Sequence, residues 1–326
     1  MSTNKPIIIV AGEPNSIFLE IFFKSLNKIK TKNPLILIAS LNLVRLQMRK
    51  LKYKKKINLI NLDELLNNNL NKSLNNKKIN LIDVKYKQKK AFENISKKSN
   101  QYIKNCFEVA FEILKKGNIN KLINGPISKK TFLKKKYLGV TEYISSRFNV
   151  KKYSMLIYNE KLAVCPITTH LPLKNVPKRI NSNLIFENIK LIDKFYKTKL
   201  HIKPKIAILG LNPHCESILK FNEDEKILKP AIKNLKKSGI NISGPFPSDT
   251  MFLKKNRKKF NVIVGMYHDQ VLTPIKTLFE YDAFNITLGL PFLRVSPDHG
   301  PNQSMLGKNL SNPLSLIKTI KFLDKN

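Results

Sequence analysis

The segment VIVGMYHDQ (residues 262–270) begins with five apolar or small residues, and a single tyrosine separates them from His268. The apolar part has the continuous character of a strand that is buried on both faces of a parallel sheet. Two other segments repeat this arrangement, LAVCPITTH, which ends at His170, and IAILGLNPH, which ends at His214. Only five histidines occur in the chain, so the repetition carries information.

The three histidines are predicted to share one edge of a sheet. A parallel sheet brings the carboxyl ends of its strands to one edge, and ligands bind there. Three imidazoles that converge at such an edge suit a divalent metal ion with an open coordination position, which is a catalytic arrangement. Three unrelated histidines that cap turns or satisfy buried carbonyl groups remain the alternative.

Strand and helix patterns alternate along the whole chain. The predicted strands are 6–11, 34–40, 57–62, 79–84, 122–125, 162–167, 206–211 and 262–266. The predicted helices are 17–30, 41–49, 100–116, 185–196, 223–237 and 313–323. Such alternation predicts an α/β protein whose mostly parallel sheets are covered by helices on both faces.

The charge of the chain is extreme, with a formal net charge of +38. Only six of the 60 basic residues are arginines, although specific nucleic-acid sites favour arginine for its two-pronged hydrogen bonding. The lysines are spread from end to end, and a run such as 134–136 is predicted to be solvated surface. We therefore expect no specific nucleic-acid partner, but we do expect attraction of anionic substrates.

The bulk composition limits the class of protein. A hydrophobic content of 42% over 326 residues supports a sizeable core, and no apolar run approaches the ~18 residues of a membrane span. Three cysteines without a CxxC pair favour a reduced, cytoplasmic protein with no membrane partner.

Five turn-rich segments together resemble a known family. They are ITTHLPL (167–173), LGLNPHCE (209–216), GPFPSDTMF (244–252), GMYHDQVLTPIKTL (265–278) and NITLGLPFLRVSPDHGP (285–301). In this order they resemble the 4-hydroxythreonine-4-phosphate dehydrogenases of vitamin B6 biosynthesis, and the resemblance extends from about residue 6 to the C-terminus.

The resemblance implies a two-domain α/β/α fold like that of isocitrate and isopropylmalate dehydrogenases. Residues 1–128 and 289–326 would form the cofactor-side domain, and residues 129–288 the metal, substrate and dimerisation domain. The implied protein is a homodimer whose active site lies between the domains and near the subunit interface.

The implied reaction oxidises 4-phosphooxy-L-threonine with NAD or NADP. The product, 2-amino-3-oxo-4-phosphooxybutanoate, loses carbon dioxide to give 3-amino-2-oxopropyl phosphate. One divalent metal ion per subunit, Zn²⁺, Co²⁺, Mn²⁺ or Mg²⁺, would assist both steps.

The resemblance assigns the metal ligands to His170, His214 and His268. Asp269, beside one of these ligands, and Asp249, in the Ser-Asp-Thr turn, would orient ligands or relay a proton. Turn capping is the competing interpretation of both aspartates.

Other positions match the family's substrate and cofactor contacts. Lys276, Asn285 and Arg294 would bind substrate together with Thr141, and Lys276 would also take part in proton transfer. Without the resemblance, Lys276 is interpreted as a surface lysine, because lysines occur throughout the chain. His299 and Gly300 resemble the adenosine-binding turn, although a structural turn histidine also explains His299.

The chain departs from the family pattern at several positions. Val140 stands where the family has a histidine that touches the substrate, which leaves phosphorylated sugar acids such as threonate or erythronate 4-phosphate as an alternative substrate. Ser16 and Phe18 replace glycines after Gly-Glu-Pro. Ser304 lies where a carboxylate is usual, so the preference between NAD and NADP is open.

Overall fold

The chain forms two compact units, Met1–Ile144 with Pro291–Asn326 and Ser145–Leu290. The computed structural model describes residues 5–67, 74–133, 137–218 and 221–326. The lysine run 134–136, which was predicted to be solvated surface, lies outside the described residues. No helix within the described part of the chain is long and apolar enough to span a membrane.

Twelve strands are present in the described residues. They are β1 (Ile7–Val10), β2 (Leu35–Ala39), β3 (Ile57–Leu59), β4 (Ile79–Asp83), β5 (Lys121–Asn124), β6 (Ser154–Tyr158), β7 (Ala163–Pro166), β8 (Ile206–Leu209), β9 (Ile242–Phe246), β10 (Val262–Gly265), β11 (Phe284–Leu288) and β12 (Leu293–Pro297).

The described residues also form twelve α-helices. They are α1 (Phe18–Lys28), α2 (Leu41–Lys50), α3 (Leu62–Leu66), α4 (Asn100–Lys115), α5 (Val140–Arg147), α6 (Val176–Arg179), α7 (Ser182–Phe195), α8 (Lys229–Lys237), α9 (Ser248–Met251), α10 (Lys254–Arg257), α11 (His268–Phe279) and α12 (Leu314–Lys325).

The first unit has an entirely parallel sheet with the strand order β3-β4-β2-β1-β5-β12. Every residue of β1 and β2 is buried, which is why both strands read as unbroken apolar runs. Helix α4 packs on β1 and β2, and α12 packs on β5 and β12. The last helix is also held by Asp324, whose Oδ1 accepts a 2.8 Å hydrogen bond from the backbone N–H of Asn33.

The second unit has the strand order β11-β6-β7-β10-β8-β9. Strand β6 pairs antiparallel with both β11 and β7, whereas β7, β10, β8 and β9 run parallel. Val262 at the start of β10 pairs with Ala163 of β7 and Ile206 of β8, so the three strands are nearly level. Their carboxyl ends therefore reach the same edge of the sheet, as predicted.

Most predicted elements are confirmed, with local corrections. The predicted strand 57–62 is wrong beyond Leu59, because Asn61 caps a short helix, accepting hydrogen bonds from the backbone N–H groups of Asp63 and Glu64. The predicted helix 223–237 begins with a π-helical turn, Asp224–Leu228, before α8. The elements that were not predicted from the sequence are strands β6, β9, β11 and β12, helices α5 and α11, and the short helices α3, α6, α9 and α10.

Candidate functional site

The three histidines follow three neighbouring parallel strands of the second unit. His170 lies four residues after the end of β7, His268 begins α11 after β10, and His214 lies in the turn after β8. Strand β10 lies between β7 and β8, so the His268 turn is flanked by the other two. The ring centroids of His170 and His268 are 6.0 Å apart.

The three imidazoles are suitable ligands for a divalent metal ion, and two of them have the spacing that a shared ion requires. Two imidazoles that share a Zn²⁺ ion at a Zn–N distance of about 2.1 Å have ring centres roughly 5 to 6 Å apart, which agrees with the His170–His268 pair. His214 is exposed on the adjacent turn with a left-handed backbone, φ 56°. Among the described residues, no group of three or more His, Cys, Asp or Glu side chains is arranged to hold a metal ion. The structure therefore brings two of the three predicted ligands together and places the third on the neighbouring turn.

Asp269 contacts one of the predicted ligands directly. Its Oδ1 lies 2.6 Å from Nδ1 of His268. A carboxylate at Nδ1 favours the tautomer that carries a proton there, which leaves Nε2 free to accept a proton or bind a metal ion. The predicted role of Asp269 in orienting His268 is thus geometrically possible.

Asp249 occupies the exposed start of α9, and its Oδ1 accepts a 2.9 Å hydrogen bond from the backbone N–H of Thr250. Burial raises the pKa of the Cys215 thiol, with further contributions from the carboxylates of Asp224 and Asp249. Asp249 is therefore within electrostatic range of the turn that carries His214. Its backbone hydrogen bond also agrees with the capping interpretation.

Asp224 is a buried residue beside the His214 turn that was not predicted from the sequence. Its Oδ1 accepts a 2.8 Å hydrogen bond from the backbone N–H of Leu211, and its Oδ2 accepts a 3.0 Å hydrogen bond from that of Asn212. A side chain at Gly210 would collide with this carboxylate, because an added Cβ would lie 2.9 Å from Oδ1 of Asp224. The carboxylate thus fixes the turn before His214.

A second residue without an assigned role, Gln270, joins two of the histidine turns. Its Oε1 accepts a 2.7 Å hydrogen bond from the backbone N–H of Met266, and its Nε2 donates a 2.7 Å hydrogen bond to the carbonyl of Gly210. The sequence signal was weak, because a glutamine beside a histidine motif resembles any polar loop residue.

Lys276 and Asn285 lie in the second unit, on α11 and β11. Lys276 is half-buried and follows Asp269 by seven residues, so the two side chains project from the same face of the helix. The Oδ1 atom of Asn285 is buried and has no hydrogen-bond partner among the described residues. A buried acceptor without a partner is unusual.

Arg294 lies in β12 of the first unit with only 2% of its surface exposed. Its Nε donates a 2.8 Å hydrogen bond to Oδ1 of Asn124, and its Nη1 donates a 3.1 Å hydrogen bond to Oγ1 of Thr141. Burial lowers the pKa of Arg294 to about 10, partly opposed by the charge of Glu142, so the guanidinium stays charged at neutral pH. Thr141, predicted to touch substrate, here holds this arginine, and Asn124 was not identified from the sequence.

His299 and Gly300 follow β12 in the first unit. The His299 ring is tilted by 30° against Phe18 at a centroid distance of 6.3 Å. Phe18 also fills the space beside Gly125, where an added Cβ would lie 2.7 Å from the ring. Phe18, which replaces a glycine of the family, thus places an aromatic ring beside His299. At Gly300 an added Cβ would meet no described atom within 4 Å, so protein packing does not require this glycine.

Comparisons with known proteins agree with these motifs. A family model described as pyridoxal phosphate biosynthetic protein PdxA matches residues 30–323. The chain is 43% identical over 230 residues to a 4-hydroxythreonine-4-phosphate dehydrogenase of Sulfurihydrogenibium sp. (strain YO3AOP1), with 69% of each chain covered. It is 35% identical over 198 residues to the D-threonate 4-phosphate dehydrogenase of Salmonella typhimurium, with 60% of this chain and 61% of that protein covered.

Solved structures confirm the predicted fold class, α/β with two α/β/α domains and mostly parallel sheets. The 4-hydroxythreonine-4-phosphate dehydrogenase of Klebsiella pneumoniae superposes with a TM-score of 0.83 at 28% identity, covering 98% of both chains. A β-decarboxylating dehydrogenase of Thermococcus kodakarensis superposes with a TM-score of 0.51 at 10% identity, covering 98% of this chain and 82% of that one. The second likeness concerns the fold alone.

Proposed function

The chain belongs to the family of pyridoxal phosphate biosynthetic protein PdxA, as its match to the family model shows, and from this premise we propose that it oxidises 4-phosphooxy-L-threonine with NAD or NADP. Named relatives support its being an oxidoreductase that acts on a small phosphorylated compound. The proposed product is 2-amino-3-oxo-4-phosphooxybutanoate, which decarboxylates to 3-amino-2-oxopropyl phosphate. We propose that this occurs in a cytoplasmic homodimer.

The observation that carries this proposal is the convergence of His170 and His268 at the ends of adjacent parallel strands, with Asp269 on Nδ1 of His268. His170, His214 and His268 would hold one divalent metal ion. Such an ion, when bound, lowers the pKa of a hydroxyl group and polarises a ketone, which is the chemistry that oxidation followed by decarboxylation needs.

The chain's own residues would bind substrate and move protons. Arg294, fixed by Asn124 and Thr141, offers a guanidinium of constant charge to a phosphate or carboxylate. The unpartnered Oδ1 of Asn285 would accept a hydrogen bond from the substrate hydroxyl. Lys276 would accept or return the proton of the reacting hydroxyl, with Asp269 and Asp249 as further candidates for the relay.

The cofactor is proposed to bind to the first unit. The half-buried imidazole of His299 would contact the adenine, and the open space around Gly300 would admit the ribose. Ser304 donates a 3.1 Å hydrogen bond to Oδ1 of Asn302, where the family usually has a carboxylate. Since a hydroxyl does not repel a 2′-phosphate, NADP is a substrate to be tested alongside NAD.

A second candidate function keeps the chemistry and changes the substrate to threonate or erythronate 4-phosphate. The observation that favours it is Val140, which precedes Thr141 in α5 and therefore stands next to a direct contact of Arg294. An aliphatic side chain at this position cannot hydrogen-bond the substrate's amino group, and the sugar-acid phosphates lack that group.

The test is the reduction of NAD⁺ and NADP⁺ by the purified protein with each of the three substrates. Each assay is repeated after chelation and after addition of Zn²⁺, Co²⁺, Mn²⁺ or Mg²⁺. Metal-dependent turnover that is fastest with 4-phosphooxy-L-threonine supports the first function, and a preference for a sugar-acid phosphate supports the second. Turnover that is indifferent to chelation would contradict the proposed metal site.

A further inference from the structure

We propose that Gln270 is a positioning residue that sets the spacing between the His268 turn and the His214 turn. The inference rests on the proposed function, because it concerns residues that would hold the metal ion. Gln270 is not itself a ligand in this proposal. It acts through the backbone of two neighbouring strand ends.

The two hydrogen bonds of Gln270 join different strands. Met266, whose N–H donates to Oε1, directly follows β10 and precedes His268 by two residues. Gly210, whose carbonyl accepts from Nε2, directly follows β8 and precedes His214 by four residues. Both distances are 2.7 Å, and only 8% of the surface of Gln270 is exposed. The amide therefore links the two turns at the points where regular strand pairing between them stops.

A glutamine is well suited to this link because its amide carries an acceptor and a donor at a fixed separation. An aliphatic residue of the same size would leave a buried N–H and a buried carbonyl without partners. A glutamate at neutral pH would keep the bond from Met266 but place a carboxylate oxygen against the carbonyl of Gly210. The two turns would then be pushed apart.

Two neighbouring residues, Gly265 and Thr168, support the link that Gln270 makes. A Cβ added to Gly265 would lie 2.9 Å from Oε1 of Gln270, so the strand end admits this side chain only because residue 265 is glycine. On the other side of β10, Oγ1 of Thr168 donates a 2.7 Å hydrogen bond to the carbonyl of Met266. Thr168 precedes His170 by two residues. Met266 is thus the shared point through which the turns of all three histidines are connected.

The test compares metal binding by Gln270→Glu and Gln270→Leu with that of the wild-type protein. Affinity for Co²⁺ is measured by competition with a chromophoric chelator, and the geometry of the bound ion by its visible absorption spectrum. We expect Gln270→Glu to bind Co²⁺ about 10-fold more weakly or worse, as changes in the groups that orient metal ligands do. We also expect an altered absorption band, which a loss of overall stability alone would not produce.

The matched control is Gln47→Leu. Gln47 is buried like Gln270, and its Nε2 donates hydrogen bonds to the carbonyls of Pro14 at 2.9 Å and Ala91 at 3.1 Å, but it lies in the first unit. Its replacement should lower the unfolding temperature while leaving Co²⁺ affinity and spectrum unchanged. Gln270→Glu, which keeps the volume and one hydrogen bond, serves as the folded variant if Gln270→Leu does not fold.

Each result has a defined meaning. Wild-type affinity and an unchanged spectrum in Gln270→Glu would overturn this inference alone. Equal losses of affinity in Gln270→Leu and Gln47→Leu would also overturn it, since the effect would then follow stability. Failure of the wild-type protein to bind Co²⁺ would overturn the proposed metal site, and this inference with it.

Discussion

The Nε atom of Arg294 lies 2.8 Å from Oδ1 of Asn124, and each of the two residues has only 2% of its surface exposed. The Nδ2 group of Asn124 in turn donates a 2.9 Å hydrogen bond to the carbonyl of Gly125. Asn124 therefore anchors the guanidinium to the turn that follows β5. These contacts hold the plane of the Arg294 guanidinium in a fixed orientation.

Replacing Arg294 with lysine should reduce kcat/KM by roughly 100-fold, because an ammonium group cannot reproduce the paired donors of a buried guanidinium. The substitution keeps the charge, so the loss would report geometry. Steady-state kinetics with the best of the three proposed substrates measure it. Arg49→Lys, at an exposed arginine in the last turn of α2, is the control and should keep wild-type kinetics. Full activity in Arg294→Lys would contradict a role in binding an anionic group.

Replacing His214 with alanine should abolish tight Co²⁺ binding, because the third imidazole would be lost. The structure supplies a matched control in His201, which is also exposed and has nearly the same left-handed backbone, φ 55° against 56° for His214. Alanine is disfavoured in this conformation at both positions, so the backbone penalty is similar in His201→Ala and His214→Ala. Chelator competition should therefore show weaker Co²⁺ binding by His214→Ala than by His201→Ala, and this difference reports the loss of the His214 side chain. Equal Co²⁺ affinities in the two variants would remove His214 from the ligand set.

Replacing Asp269 with asparagine should weaken Co²⁺ binding about 10-fold, because the uncharged amide is a poorer acceptor for the Nδ1–H group of His268. The volume and the position in the first turn of α11 are preserved. Isothermal titration with Co²⁺ would measure the change. If the affinity instead matched that of the wild-type protein, the 2.6 Å contact would have no part in metal binding.

The parts of the fold that were predicted from the sequence are those with regular apolar spacing. In α4, which agrees with the predicted helix 100–116, Ile103, Phe107 and Ala110 recur at helical spacing, and all three are buried. Strands β11 and β12 were not predicted, because the polar residues Asn285 and Arg294 interrupt their apolar pattern. Helix α11 was not predicted either, since it contains Pro274, which cannot donate a backbone hydrogen bond.

The residues of the candidate site could be predicted only where a local sequence pattern distinguishes them. The three histidines stand out because each follows a buried strand in a histidine-poor chain. Asp224 and Gln270 could not be recognised in this way, because each binds a backbone group that is distant in sequence. Asp224 binds Asn212, 12 residues away, and Gln270 binds Gly210, 60 residues away. Such pairings depend on strand order, which local patterns do not encode.

Replacing Glu13 with glutamine should stabilise the protein above neutral pH. The carboxyl group is 2% exposed, and burial raises its pKa, although hydrogen bonds from the backbone of Asn15 and the hydroxyl of Ser99 oppose the shift. A carboxyl group with a raised pKa in the folded state favours folding while it is protonated, and this contribution is lost as the pH rises through the folded-state value. Glutamine keeps an acceptor for Asn15 and offers a donor to Ser99, but it does not ionise.

The free energy of unfolding, measured with urea at about pH 4 and about pH 8, would test this expectation. The advantage of Glu13→Gln over the wild-type protein should be larger at the higher pH. Glu112→Gln, at an exposed glutamate of α4, controls for the loss of a surface charge. An advantage that did not change with pH would show that Glu13 ionises normally in the folded protein.

The division of the chain into units has a consequence for the order in which they are completed during synthesis. Residues 145–290 of the second unit are contiguous, whereas the first unit needs strand β12 and helix α12 from beyond residue 290. On a ribosome, β5 therefore has no β12 to pair with, and Asn33 has no Asp324 to bind, until the second unit has been made in full. We accordingly expect chains arrested after residue 290 to protect the second unit from protease and to leave the first open to cleavage.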